Sequence, residues 1–275
     1  MIELQNITKS FDGIEILKGI SMTFEAGKTN LIIGQSGSGK TVLLKCLLGL
    51  HQPNGGDMLF NKQALVEMDD DQRRILRREM GMVFQGSALF DSMTVLENVM
   101  FPMQMLTNQS EAIMRKAAEE VIERVNLVDA QQKLPAELSG GMQKRVAIAR
   151  AVVMKPKYLF CDEPNSGLDP KTAIVIDNLI REITQENNIT TVINSHDMNS
   201  VMEIGDSILF LKNGVKAWEG SKELVFKTDN EAINDFVYSS NLMKKVLKKK
   251  TQVKVKPQYK KLHQPTSLSL INPSL

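Results

Sequence analysis

The sequence predicts an α/β protein in which a core of strands and helices is interrupted by a helical insertion. Short apolar strands alternate with amphipathic helices before about residue 85 and again after about residue 156, as in parallel α/β sheets. Between about residues 86 and 155 the apolar residues instead recur at helical spacing, over 94–106, 110–126 and 142–154. A chain of 275 residues is long enough to bury such a core.

The individual elements follow from periodicity and turn signals. Residues 2–9 and 20–25 alternate apolar and polar side chains on either side of an Asp12-Gly13 turn signal, which predicts an antiparallel β subdomain. The other predicted strands are 29–33, 53–60, 82–84, 158–162, 190–194 and a hairpin at 207–218, and the other predicted helices are 41–50, 69–80, 171–186 and 198–203. There is no internal repeat, so we expect a single copy of this domain.

The net charge of +2 conceals two different regions. Residues 241–275 contain nine of the 34 basic residues, all of them lysines, and no acid, which leaves 25 basic against 32 acidic residues in the rest. The basic segment has few apolar residues and three prolines, so we expect residues 241–275 to be a disordered tail after a folded domain of residues 1–240. A tether to anionic lipid headgroups and a contact with a partner subunit are the alternatives for this tail.

Composition argues against several classes of protein. No run of residues reaches the ~18 to 20 apolar residues of a membrane span. The start of the chain, 1–5, lacks the basic and apolar regions of a signal peptide. The two cysteines, Cys46 and Cys161, lie among apolar residues and read as reduced core residues, not as a disulfide framework.

Residues 34–41 match a phosphate-binding loop at every fixed position of the G-x-x-x-x-G-K-[ST] pattern. The loop follows a buried strand and opens a helix, which is the context that this motif requires. Backbone N–H groups and Lys40 are expected to hold the phosphates, and the Thr41 hydroxyl to hold Mg²⁺. The predicted ATP-binding residues of this loop are Gly34, Gln35, Ser36, Gly37, Ser38, Gly39, Lys40 and Thr41.

An apolar strand at 158–162 delivers two adjacent acids, Asp162 and Glu163. Open α/β sheets bind ligands at the carboxyl ends of their strands, so both carboxylates are expected beside the phosphate loop. We assign Asp162 to Mg²⁺ and Glu163 to general-base activation of the attacking water. The sequence therefore predicts a P-loop protein that hydrolyses a nucleoside triphosphate.

Leu138-Ser139-Gly140-Gly141-Met142 lies between these two motifs and begins a helix. Ser139 suits the N-cap, and two glycines after it leave N–H groups that a γ-phosphate could approach closely. Ser139, Gly140 and Gly141 are thus further candidate ATP-binding residues. Because this helix start and the phosphate loop belong to different lobes, we expect a second copy of the chain to supply it.

With these motifs in this order, the chain resembles the nucleotide-binding subunit of ATP-binding cassette (ABC) transporters over residues 1 to about 225. The resemblance implies a RecA-like core at about 1–85 and 156–240 and a helical subdomain at about 86–155. It also implies roles for four further residues. Gln85 senses Mg²⁺ and the membrane subunit, Asp169 in the 166–169 loop reaches the dimer interface, His196 contacts the γ-phosphate as a catalytic residue, and Phe11 stacks on adenine.

The same resemblance implies partners and location. Two copies would form a head-to-tail dimer with ATP sandwiched between them, and a membrane permease would contact about residues 86–105. The chain would then be cytoplasmic and peripheral, on the inner face of the inner membrane. We expect no nucleic-acid partner.

The segment Gly86-Ser87-Ala88-Leu89-Phe90, with Asn98-Val99 and Pro102-Met103 further on, is similar to the ATPase of bacterial phospholipid transporters that maintain outer-membrane lipid asymmetry. Met142, where most of the family has glutamine, also suits that subfamily. Phospholipid transport is therefore the expected function. An importer of another small solute and a soluble cassette protein that does not transport are the alternatives.

Two other classes fit less well. Soluble cassette proteins that act on ribosomes or DNA usually carry two cassettes or a long coiled-coil insertion, and this chain has neither. A P-loop kinase or GTPase would leave the signature segment 138–142 and His196 unexplained. In addition, residues 61–64, Asn-Lys-Gln-Ala, lack the aspartate of a guanine-reading motif.

Overall fold

In the computed structural model, which describes residues 1–238, a six-stranded sheet forms the centre of the protein. Its strands are β3 (Thr29–Ile33), β6 (Met80–Val83), β7 (Tyr158–Asp162), β8 (Thr190–Ser195), β9 (Ser207–Lys212) and β10 (Val215–Gly220). They lie in the order β10-β9-β3-β8-β7-β6, and all neighbours are parallel except the edge pair β9 and β10. The strands β3, β7 and β8 are almost entirely buried, which shows that both faces of the sheet are covered, as expected for central parallel strands.

A second, antiparallel sheet comes from the N-terminal part of the chain. Its order is β2-β1-β4-β5, formed by β1 (Ile2–Phe11), β2 (Ile14–Phe24), β4 (Gly55–Phe60) and β5 (Gln63–Ala64). The apolar side chains of β1, β2 and β4 share one core with the buried residues of the central sheet and of the helix that follows the phosphate loop. The predicted antiparallel subdomain is present, and the predicted fold class, a P-loop NTPase with this added sheet, is confirmed.

The helical insertion lies between β6 and β7 and contains α3 (Val95–Leu106), α4 (Glu111–Arg124) and α5 (Gly140–Val152), with short 3-10 turns at Val128–Ala130 and Pro135–Glu137. Thr94 caps α3 and Ser139 caps α5 through side-chain oxygens that accept backbone N–H groups. The remaining helices of the described part are α1 (Lys40–Leu47), α2 (Asp70–Arg78), α6 (Pro170–Glu186), α7 (Met198–Ile204), α8 (Lys222–Val225) and α9 (Glu231–Val237).

Two element boundaries differ from the sequence prediction for local reasons. The second strand begins at Ile14, not at residue 20, because the Asp12-Gly13 turn adopts positive φ angles and pairs Phe11 with Ile14 at once. The first helix ends at Leu47, not at residue 50, because Gly49 takes a left-handed conformation (φ 70°) after the Leu48 cap.

Cys46 and Cys161 are free and buried, as predicted from their apolar neighbours. No helix within residues 1–238 is both long and apolar enough to cross a membrane. The basic segment 241–275 lies outside the described residues.

Candidate active site

The phosphate loop joins the end of β3 to the start of α1 and closes tightly on itself. The ammonium group of Lys40 donates to the backbone carbonyls of Gly34 at 2.8 Å and Gln35 at 3.1 Å. Gly34 has a φ of 154°, and a Cβ atom there would lie 2.3 Å from the carbonyl oxygen of Leu211, so only glycine fits. The loop is therefore held as a ring around the lysine.

This ring is chemically suited to an anion. The Lys40 side chain is buried, and desolvation lowers its pKa even though Glu163 and Asp162 act in the opposite direction. The hydroxyl of Ser38 is also buried and has no hydrogen-bond partner within the described residues. A desolvated cation whose bonds go only to carbonyl groups, next to an unpaired hydroxyl, fits the phosphate groups of a nucleotide.

Three predicted residues meet at the carboxyl ends of adjacent parallel strands. The Nδ1 atom of His196, just after β8, lies 2.8 Å from Oε1 of Glu163, just after β7. The Nε2 atom of Gln85, after β6, donates to Oε2 of Glu163 at 3.0 Å. Each oxygen of the Glu163 carboxylate thus has a partner from a neighbouring strand end. The carboxylate is held in one orientation at the edge of the sheet where ligands bind.

The donor set for Mg²⁺ fits an oxygen-ligated ion. Asp162 accepts a hydrogen bond from Nδ2 of Asn194 at 3.0 Å, which orients its carboxylate. Because Gln85 uses its amide nitrogen on Glu163, its carbonyl oxygen remains an acceptor. Within residues 1–238 no three His, Cys, Asp or Glu side chains gather into a metal site. A hydroxyl, an amide oxygen and one carboxylate, completed by phosphate and water, match how Mg²⁺ is usually held in nucleotide sites.

Lys40, Gln85, Glu163 and His196 line one open cleft of about 830 Å³, which we call the nucleotide cleft. Its walls are Phe11, Ile16, Gln35, Ser36, Gly37, Gly39, Lys40, Thr41, Val42, Gln85, Glu163, His196 and Phe236. Phe11 is 39% exposed, with the His51 ring in T-shaped contact 5.2 Å away and the Lys9 ammonium 4.9 Å from its centroid. An exposed, supported ring at the mouth of a phosphate-binding cleft is suited to stacking on a base.

The signature residues do not join this cleft. Ser139 and Gly140 are exposed at the start of α5, and Gly141 is half-buried against Thr172. Asp169 is the N-cap of α6, where its carboxylate accepts from the backbone of Lys171 and from the backbone and hydroxyl of Thr172. These hydrogen bonds, led by the Thr172 hydroxyl, lower the pKa of Asp169. Within one chain, Asp169 is therefore a helix cap.

Three polar residues near the cleft were not predicted from the sequence. Asn194 orients Asp162, the buried Lys144 donates to the backbone carbonyl of Gln85, and Asn165 donates to Asp177 and Ser200. Burial lowers the pKa of Lys144. Asn194 lies in the fully buried strand β8, and Lys144 lies on the buried side of α5. Only the lysine among the apolar residues of that helix could have been noticed in the sequence.

Known proteins share this arrangement. The model of the ABC transporter family matches residues 17–166. The methionine import ATP-binding protein MetN of Clostridioides difficile is 33% identical over 93% of this chain and 78% of its own length. The arginine transport ATP-binding protein ArtM of Bacillus subtilis is 35% identical over 86% of this chain and 98% of its own.

The chain is also similar to a cassette whose structures have been solved. The dimeric ABC transporter cassette MJ0796 is 33% identical, with a TM-score of 0.73 over 81% of this chain and 99% of its own. A second structure of that cassette is a post-hydrolysis state bound to ADP and Pi. The family match covers more than half of the chain, and the matched range includes the phosphate loop and Glu163. The chain belongs to the ABC transporter family, as an ATP-binding subunit that hydrolyses ATP.

Proposed function

We propose that the chain is the Mg²⁺-dependent ATPase subunit of a membrane importer for a small solute, and that it works as a dimer. The observation that carries this proposal is the meeting of Glu163, His196, Gln85 and Lys40 around one cleft. Gln85, Glu163 and His196 each follow the end of a different strand, and Lys40 is the first residue of α1. Their meeting is therefore a property of the fold and not of one local sequence motif.

The cleft supports a simple hydrolysis step. Lys40 and the N–H groups of the phosphate loop hold the phosphates, while Thr41, Asp162 and Gln85 are the residues that would hold Mg²⁺. When bound, the ion neutralises charge that develops on the phosphate oxygens. Glu163 accepts a proton from water as the water oxygen bonds to the γ-phosphorus, and the bond from that phosphorus to ADP breaks. His196 supports the carboxylate and contacts the γ-phosphate.

A second copy of the chain completes the site. The exposed helix start at Ser139 to Gly141 presents backbone N–H groups and the positive end of a helix dipole, but not toward the cleft of its own chain. A head-to-tail dimer places this helix start over the γ-phosphate bound by the other protomer. The dimeric state of the similar MJ0796 cassette supports this arrangement.

A separate apolar groove suits the membrane subunit. It has a volume of about 490 Å³ and is lined by Arg78, Met80, Gly81, Met82, Phe84, Ala88, Phe90, Phe101, Pro102, Met105, Leu106, Arg150, Ala151 and Met154. Val95 and Met100, by contrast, are buried and pack the helical subdomain. Arg150 donates to the backbone carbonyls of Ser87 and Ala88, which ties the groove to the segment after Gln85. An amphipathic helix with an acidic residue is the expected occupant.

For the transported molecule, the relatives favour a small solute. MetN is named for methionine import, ArtM for arginine transport and TcyC of Bacillus subtilis for cystine import. Amino acids are therefore the first class to test. Phospholipid remains a second candidate, which rests on the run Gly86 to Phe90 and on Asn98 to Met103 and which these names do not support.

The test is reconstitution. The tagged chain is purified from detergent-solubilised membranes with its permease, placed in liposomes, and given Mg²⁺-ATP with labelled amino acids or with a fluorescent phospholipid. ATP-dependent accumulation of an amino acid supports the proposal. Transfer of the phospholipid alone overturns the solute class, and isolation of the chain without any membrane protein overturns the role in transport.

A further inference from the structure

The side chain of Asn165 links the segment that follows Glu163 to the segment that follows His196. Asn165 is two residues after Glu163, and its Nδ2 atom lies 3.2 Å and 3.1 Å from the two carboxylate oxygens of Asp177 and 2.7 Å from the hydroxyl oxygen of Ser200. An amide nitrogen has two hydrogens, so one is shared by the carboxylate and the other goes to the hydroxyl. Asp177 lies on α6 and Ser200 on α7.

Both acceptors are withdrawn from water. Asp177 and Ser200 are each 2% exposed. Burial raises the pKa of Asp177 to about 6, and the nearby acids Asp197 and Glu203 act in the same direction. A buried carboxylate needs hydrogen-bond donors, and Asn165 and Ser200 are the two side chains whose bonds counter this shift. Substitution of Asn165 would leave Asp177 with the hydrogen bond to Ser200 alone.

Asn165 lies where its hydrogen bonds can affect the geometry of Glu163 and His196. Glu163 adopts a left-handed backbone conformation (φ 47°), which a glutamate keeps only where neighbouring contacts enforce it. On the other side, His196 is followed directly by Asp197, the N-cap of α7. Asn165 therefore fastens the loop after Glu163 to the helix after His196. Strand pairing fixes where β7 and β8 end, but the two segments beyond those ends are joined by this amide.

We propose that Asn165 is a positioning residue for ATP hydrolysis, which keeps the Glu163 carboxylate against His196 by tying the loop after Glu163 to α6 and α7. The inference rests on the proposed hydrolytic roles of Glu163 and His196. It assigns Asn165 no contact with nucleotide, so binding and turnover should separate when it is changed.

The test compares Asn165→Ala with the wild-type chain and with Asn187→Ala. Asn187 also donates a hydrogen bond from its side-chain amide, but to the backbone carbonyl of Ile183 at the end of α6, away from the cluster. It is therefore a control for the loss of an asparagine side chain. For Asn165→Ala we expect kcat to fall by roughly tenfold or more, with the affinity for a fluorescent ATP analogue within about twofold of wild type. Asn187→Ala should change neither.

A double-mutant cycle separates positioning from a general loss of structure. If Asn165 acts through His196, Asn165→Ala combined with His196→Ala should be no slower than His196→Ala alone. Losses that multiply would overturn the proposal, as would an unchanged kcat in Asn165→Ala. Should Asn165→Ala fail to fold, Ser200→Ala replaces it in the same cycle, with a smaller expected loss because only the bond to α7 is removed. A wild-type chain that does not hydrolyse ATP would instead refute the proposed function itself.

Discussion

The Nε2 atom of Gln85 donates a hydrogen bond to Oε2 of Glu163 at 3.0 Å, across the carboxyl ends of two neighbouring strands. The other oxygen of that carboxylate faces His196. Gln85 begins the segment that leads to the apolar groove, since Ser87 and Ala88 are held there by Arg150. A change in the groove therefore has a short physical route to the carboxylate that we assign to water activation.

The first prediction concerns Glu163→Gln. An amide of the same shape keeps both neighbours but cannot accept a proton from water, so we expect turnover to fall by about 100-fold or more, with ATP affinity retained. Phosphate release measures turnover, and gel filtration with Mg²⁺-ATP should show a trapped dimer.

Glu79→Gln is the matched control. Glu79 forms an ion pair with Lys157 just before β6, at the amino ends of the strands and away from the cleft. The Glu79→Gln variant should therefore hydrolyse ATP at the normal rate. Normal turnover in Glu163→Gln would remove the role that we assign to this carboxylate.

The second prediction tests whether the site is shared. Lys40→Ala should inactivate the phosphate loop and Ser139→Arg should block the signature helix, so neither variant is active alone. In a head-to-tail dimer, a mixed pair contains one site with an intact loop and an intact helix start. Mixing the variants should then restore about one quarter of wild-type activity, because about half of the dimers are mixed and each has one working site. A mixture as inactive as its components would mean that the site lies within one chain.

The third prediction concerns adenine. Phe11→Ala should weaken ATP binding by about tenfold, because base–aromatic stacking contributes about 1 to 3 kcal/mol. Phe11→Tyr keeps a ring between Lys9 and His51 and should bind normally. Inorganic triphosphate has no base, so its affinity measured by calorimetry should be the same for all three proteins. Equal ATP affinity for Phe11→Ala would show that the ring does not contact the base.

The fourth prediction is a pH dependence of stability at Asp177. Its folded-state pKa of about 6 lies above the ordinary value of 3.8, so the folded chain holds this proton more tightly than the unfolded chain. The unfolding free energy contributed by this residue is therefore greatest below about pH 4 and declines as the pH rises to about 6, by about 3 kcal/mol in all.

Asp177→Asn isolates this effect, because asparagine does not titrate. Urea unfolding at several pH values should show the variant gaining stability relative to wild type between about pH 4 and 6, and a constant difference above that range. A difference that stays the same across the whole interval would mean that Asp177 titrates normally in the folded chain.

Local patterns in the sequence were sufficient for most of the fold. Thr29–Ile33 is a strand because its apolar residues, 31–33, run directly into a glycine loop. Ser139 caps α5 because its hydroxyl accepts a backbone N–H at the start of an apolar helix face. The errors were at boundaries. Ile14 joined a strand earlier than predicted, since pairing across the Asp12-Gly13 turn depends on the partner strand and not on alternation within the segment.

The site divides in the same way. The phosphate loop, Asp162 and Glu163 are contiguous motifs, so their chemistry could be predicted directly. Gln85 and His196 are single residues at strand ends, and only a resemblance to known proteins singled them out. Asn165, Asn194 and Lys144 went unnoticed, because each acts on a residue distant in the chain or on another helix.

The sequence by itself determined the class of nucleotide-hydrolysing protein to which this chain belongs. A phosphate loop, a signature helix start and an acidic strand occur in it in a fixed order. The tertiary structure alone decided which groups meet. Parallel pairing of β6, β7 and β8 brings Gln85, Glu163 and His196 to one edge, although they are separated by 78 and 33 positions along the chain. The physical reason is that a motif depends on neighbours in sequence, whereas a hydrogen bond between strand ends depends on the register of a whole sheet.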